Sequence, residues 1–165
     1  MKKGKTSRFL FYLVLVVAFF SARAFVDREL AGGTAPEIQA TTVDGKAFDL
    51  SQFEGKPALI YFWASWCSIC KAMRHSIDAI ANDYPAMTLA LYSGDAAEVK
   101  RFMKMQRISV PVVPDPDGAI GRRYGIHGVP VAFVLGPDGA IRFASPGYTS
   151  ELGLRIRLWL AGIMQ

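Results

Sequence analysis

Tyr61-Phe62-Trp63-Ala64-Ser65-Trp66-Cys67-Ser68-Ile69-Cys70 holds both cysteines of a 165-residue chain. With Ala58-Leu59-Ile60 before it, the apolar and aromatic start of this stretch reads as a buried strand, Ala58 to Trp63. Ser68 to about Asp83 reads as a helix, with Ile69, Met73, Ile77 and Ile80 along one side and Pro85 to stop it. Cys67 therefore falls where a strand ends and a helix begins. Unpaired amides at a helix N-terminus concentrate partial positive charge, which favours thiolate over thiol. Cys70, one turn on, is close enough to close a small disulfide ring or to resolve a mixed disulfide. Those are the requirements of dithiol–disulfide exchange.

Outward from this core the pattern alternates. On the N-terminal side, Ile38 to Val43 and Ala47 to Leu50 flank Asp44-Gly45, a hairpin signal. On the C-terminal side, Met87 to Tyr92 reads as a strand, and Asp95 to about Gln106 as a helix with Asp95 as its cap. Val110 to Val113 reads as a short extended piece, with Pro111, Pro114 and Pro116 as loop punctuation, and Asp117 to Tyr124 as a small helix. Val131 to Leu135 and Ala140 to Ala144 form a hairpin, and Ser150 to Ala161 a closing amphipathic helix. Strands alternating with helices, then a terminal hairpin and helix, predict an α/β sandwich of one mixed sheet covered on both faces.

A net charge of +5 does not announce nucleic acid. Lys2, Lys3, Lys5, Arg8 and Arg23 are five of the 19 basic residues, and no acid precedes Asp27, so the remaining 14 match the 14 acids of the rest. No basic nucleic-acid surface is expected. The basic start instead flanks Phe9 to Phe20, an apolar run continued to Val26. A cleavable signal peptide would use Ala22-Arg23-Ala24 as its cleavage site; an uncleaved anchor would use all of Phe9 to Val26. The apolar segment is longer than most signal cores, which favours the anchor. The expected organisation is a cytoplasmic tail at 1–8, a transmembrane anchor at 9–26, a linker at 27–36 and one domain at 37–165. Both readings export the domain, and an exported domain can use a redox-active cysteine pair.

The run Phe62 to Cys70 resembles the active-site strand and helix start of the thioredoxin superfamily. Tyr124-Gly125-Ile126-His127-Gly128-Val129-Pro130-Val131-Ala132-Phe133 is similar to the TlpA-like branch's loop, which carries a cis-proline opposite the disulfide. The anchor, Gly147 to Arg155 and Arg157-Leu158-Trp159-Leu160 are most similar to the suppressor of copper sensitivity D type. The resemblance implies a TlpA-type thioredoxin-like three-layer sandwich with an N-terminal hairpin and one transmembrane anchor. It further implies a protein disulfide oxidoreductase of the bacterial inner membrane, single-pass, with its catalytic domain in the periplasm. Cys67 would be the exposed nucleophile and Cys70 the more buried resolver, with Trp66, Val129 and Pro130 as the substrate surface. Partners would be protein thiols or disulfides and a membrane or periplasmic redox partner; no cofactor is expected, because the dithiol carries the electrons.

Three departures stand out. Thioredoxins place a buried aspartate six residues before the first cysteine, where this chain has Tyr61; apocytochrome-reducing members place a glutamate three residues after the second, where it has Met73. Residue 69, commonly proline in the family, is Ile. A cytochrome c maturation thiol reductase is thereby disfavoured but kept as an alternative, together with a copper-binding protein without turnover, since two thiolates suit Cu(I). No resident metal is expected: only His75 and His127 could complete a zinc site, and His75 points to another face of the helix. A purely structural disulfide is a poor reading, because so short a loop removes little chain entropy. Lys71, Arg74 and His75 either raise the local positive potential or form an ordinary solvated face. His127 either lines a substrate groove or sits in a loop.

Overall fold

The computed structural model describes residues 11–15 and 30–164. Residues 11–15 are helical (α1) and exposed. The rest of the expected tail, anchor and early linker lies outside the described residues, among which no helix is long and apolar enough to cross a membrane.

From Ala31 onward the chain forms one compact unit. Its strands are β1 (Gly33–Thr34), β2 (Gln39–Thr41), β3 (Ala47–Asp49), β4 (Ala58–Trp63), β5 (Ala86–Leu91), β6 (Val112–Asp115), β7 (Val131–Leu135) and β8 (Ala140–Pro146). Its helices are α2 (Ser68–Ala81), α3 (Ala96–Gln106), α4 (Ala119–Arg123) and α5 (Glu151–Ile163), with a 3-10 turn at Leu50–Phe53. Six strands form a mixed sheet in the order β1-β8-β7-β4-β5-β6. β4, β5 and β6 run parallel, while β7, β8 and β1 continue the sheet antiparallel.

The β4-α2-β5 and β5-α3-β6 crossovers step the same way across the sheet, which puts α2 and α3 on one face. Successive side chains of a strand point to opposite faces. Leu59, Tyr61 and Trp63 of β4 accordingly share a core with Met73, Ile77 and Ile80 of α2, Val99 and Met103 of α3, and Leu154 and Leu158 of α5. Phe62 points the other way and meets Tyr124 and Phe133 at ring-centroid distances of 5.0 and 5.8 Å. Tyr124, at the end of α4, covers that second face and donates to the Pro36 carbonyl at 2.8 Å.

Three expectations change in detail. Gly33-Thr34, within the stretch read as linker, pairs with Ile141 and Ala140 as an edge strand; this pairing is all backbone, so no apolar pattern marks it. The β2–β3 hairpin forms around Asp44-Gly45 but as a two-stranded sheet of its own, tied to β6 by the Val43 N–H donating to Val112 O at 2.9 Å. Pro114 is part of β6 rather than a loop, and the edge position tolerates its missing N–H.

Asp115, at the end of β6, is a buried acid the sequence patterns did not single out. Its carboxylate accepts from the Gly121 N–H at 2.8 Å and the Ile120 N–H at 3.2 Å, holding α4 against the sheet. Asp115→Ala strands the buried Gly121 amide, and urea denaturation is expected to show a loss of about 2–3 kcal/mol.

Candidate active site

The apolar run of β4 ends at Trp63, and a turn through Ala64-Ser65-Trp66 delivers Cys67 to the start of α2. The segment that follows β5 fixes that turn. The Ser65 N–H donates to Ser93 Oγ at 2.9 Å, and Ser93 Oγ–H to Leu91 O at 2.9 Å. The Trp66 indole N–H donates to Tyr92 O at 3.3 Å. Tyr92 itself sits at φ 47°, in the left-handed region.

Cys67 is the N-cap residue of α2, and the Cys70 N–H donates to its Sγ at 3.1 Å. Serine or aspartate oxygen usually occupies this place. Here a sulfur lies in the field of the helix amides, so negative charge on it is stabilised when the pair is reduced. Cys67 and Cys70 are joined as a disulfide, with Cα atoms 5.3 Å apart. The expected contrast between an exposed Cys67 and a buried Cys70 is absent in this oxidised pair, with residue exposures of 6% and 5%. The Val129 carbonyl explains it: that oxygen lies 3.7 Å from Cys67 Sγ and covers it.

The Val129–Pro130 peptide is cis, as the resemblance implied, and brings the loop from across the sheet to the disulfide. Pro130 is buried and Val129 half-buried. The Pro130 carbonyl accepts from the Gly147 N–H at 2.8 Å, placing exposed Tyr148 beside the same loop. Trp66, Ile69, Tyr92 and Tyr148 thus leave an exposed apolar set on the loops and helix start that carry the disulfide. Tyr92 and Tyr148 were not predicted here; the polar segments around them carry no pattern that marks them.

Behind the disulfide the surroundings are mainly apolar. A cavity of about 30 Å³, room for one water, is lined by Cys70, Tyr61, Trp63, Lys71, Arg74 and Phe102 among others. The Tyr61 hydroxyl donates to Met73 Sδ at 3.9 Å, so the two positions where the resemblance led one to look for acids contact each other. Burial pushes the Tyr61 phenol upward, well out of the neutral range. Neither group exchanges a proton near neutral pH.

The basic trio on α2 divides. Lys71 Nζ lies 5.9 Å from the Phe102 ring centroid, and Arg74 Nη1 donates to Gln106 Oε1 at 2.8 Å, so both reach α3. His75 and His127 are exposed. Among the described residues no group of three or more His, Cys, Asp or Glu stands together as a metal site.

The model of the AhpC/TSA family matches residues 31–144. A thioredoxin-like protein of Haemophilus influenzae is 28% identical over 162 residues, covering 98% of this chain and 94% of the relative. The thiol-disulfide oxidoreductase ResA of Bacillus thuringiensis is 27% identical over 150 residues, covering 83% and 87%. Among solved structures, the exposed lipoprotein thioredoxin Etrx1 of Streptococcus pneumoniae superposes with a TM-score of 0.70 at 28% identity, covering 76% of this chain and 99% of that one.

Proposed function

The chain belongs to the AhpC/TSA family, and from that premise we propose that it is a thiol–disulfide oxidoreductase of thioredoxin type acting on protein substrates. One observation carries this: a Cys67–Cys70 disulfide whose first sulfur caps a helix and faces the backbone of a cis-proline loop. In the reducing direction the Cys67 thiolate attacks one sulfur of a substrate disulfide. That S–S bond breaks, a mixed disulfide forms and a substrate thiolate leaves. The Cys70 thiolate then attacks Cys67 Sγ, closing the Cys67–Cys70 disulfide and releasing the second substrate thiolate. Two electrons have passed to the substrate, and a partner dithiol must return them. In the oxidising direction every step reverses. Trp66 and Val129 serve as substrate contacts, with Pro130 holding the Val129 backbone toward an extended segment, as in strand addition.

The finer reading is a protein tethered to the bacterial inner membrane by residues 9–26, its domain in the periplasm, of the suppressor of copper sensitivity D type. The basic residues 2–8 support that orientation. The reduction potential of the Cys67–Cys70 pair, measured by equilibration in glutathione buffers, tests the function and sets its direction. A value near about −120 mV makes the protein a disulfide donor, and one near about −270 mV a reductase. A pair that binds Cu(I) but exchanges with no protein disulfide overturns the enzyme reading in favour of a copper-binding protein.

A further inference from the structure

Helix α5 is apolar on two opposite sides. Leu154, Leu158 and Ala161, spaced i, i+4, i+7, face the core and are buried. Leu152, Ile156, Trp159 and Ile163, spaced i, i+4, i+7, i+11, form a second stripe roughly opposite, with exposures of 68, 48, 60 and 58%. A surface helix ordinarily turns a polar face outward. Neighbouring charges do not explain the stripe. Arg155 is held by Glu151 and Asp83, each at 2.8 Å, and Arg157 Nη1 donates to Gly153 O of its own helix at 2.9 Å.

The far end of α5 lies where the chain enters the sheet. Gly33 of β1 pairs with Ile141, and the next residue, Arg142, donates to the carbonyl of Met164, just past α5, at 3.2 Å. Only residues 27–32 separate the end of the apolar N-terminal run from β1. A segment that short reaches about 20 Å when extended. We infer that the outward face of α5 rests on the surface of the bilayer that holds residues 9–26, with Leu152, Ile156, Trp159 and Ile163 dipping into its headgroup boundary. The inference rests on the tether proposed above.

The short tether and the residue types favour a bilayer over a second copy of the chain. The four side chains form an apolar patch of a few hundred Å². The tether compensates for so weak a contact by keeping the surface at high effective concentration. Tryptophan among aliphatic residues suits the headgroup boundary. With the charges beside Arg155 internally paired, attachment is apolar and persists in high salt.

The test uses the full chain in phosphatidylcholine vesicles carrying lipids brominated near the headgroup end of the acyl chains. The emission contributed by Trp159, taken as the difference from Trp159→Phe, is expected to fall to about half or less. Ile156→Asp is expected to restore most of it while the protein still floats with the vesicles and unfolds as the parent does. A chain that floats but shows an unquenched Trp159 overturns the inference and leaves the tether standing. A protein that sediments as a dimer, with Trp159 unquenched by lipid and shielded from aqueous iodide, overturns it in favour of a second copy. A chain that does not float removes tether and inference together, while its disulfide exchange still answers for the dithiol.

Discussion

Cys67→Ser is expected to bring disulfide exchange down to the uncatalysed background, a loss of about a thousand-fold or more. A serine hydroxyl at the head of α2 still caps the helix, so the fold should survive; it cannot form a mixed disulfide at neutral pH. Cys70→Ser should behave differently. Cys67 keeps its place 3.1 Å from the residue-70 amide, so attack on substrate proceeds, but nothing remains to displace the bound chain. Covalent complexes should accumulate, visible on non-reducing gels and released by dithiothreitol. Insulin reduction followed by turbidity, with gels of cells expressing each variant, separates the two roles. If Cys70→Ser traps nothing while Cys67→Ser is inactive, Cys67 acts without a resolver and the two-step scheme fails. If Cys67→Ser keeps its activity, the nucleophile is misassigned.

The parts of this site that were legible in sequence are those carried by one continuous segment. An apolar run that stops at Trp63, a cysteine pair and a polar-faced helix place Cys67 at a helix start without knowledge of the tertiary fold, and Val129–Pro130 was legible only through family resemblance. What stayed hidden joins distant segments. Tyr61 and Met73 could each be seen as a departure, but their mutual contact depends on how α2 packs on β4. The Trp66–Tyr92 bond joins two chain turns 26 residues apart, and Tyr92 holds its left-handed backbone with no glycine to signal it. β1 is invisible for a simpler reason: a two-residue edge strand gains only backbone hydrogen bonds, and Gly-Thr looks like any linker. The helix caps divide in the same way. Asp95 and Ser150 cap from immediately before their helices and are readable, whereas Asp115 holds α4 from the end of the preceding strand.

The contact between Tyr61 and Met73 sets up the other large effect, Met73→Glu. Methionine and glutamate are close in volume, so packing changes little and the charge dominates. Met73 is fully buried, and the Tyr61 hydroxyl donates to its sulfur. A carboxylate there loses its hydration, and the neutral Tyr61 hydroxyl offsets little of that loss, which raises its pKa in the folded state above the unfolded value of about 4.3. Between those two values the native state holds a proton the unfolded chain has released. Stability therefore falls as pH rises, by about 1.4 kcal/mol per pH unit, and levels off only above the folded pKa. Below about pH 4.3 the variant bears only the cost of a buried neutral carboxyl; at pH 7 the added loss is about 4 kcal/mol if the folded pKa reaches neutrality. Urea denaturation of parent and variant at pH 4.5 and 7.0 reads this directly, the parent's own pH dependence being subtracted. A deficit equal at both values would mean the space beneath the disulfide admits enough water to solvate the charge. The same carboxyl would lie three residues beyond Cys70, close enough along α2 to take its proton as the thiol resolves the mixed disulfide. The parent lacks a proton acceptor at Tyr61 and Met73, so in the variant the resolving step should acquire a pH dependence centred on the raised carboxyl pKa, absent from the parent and measurable by stopped-flow as the decay of the mixed disulfide with Cys70 intact.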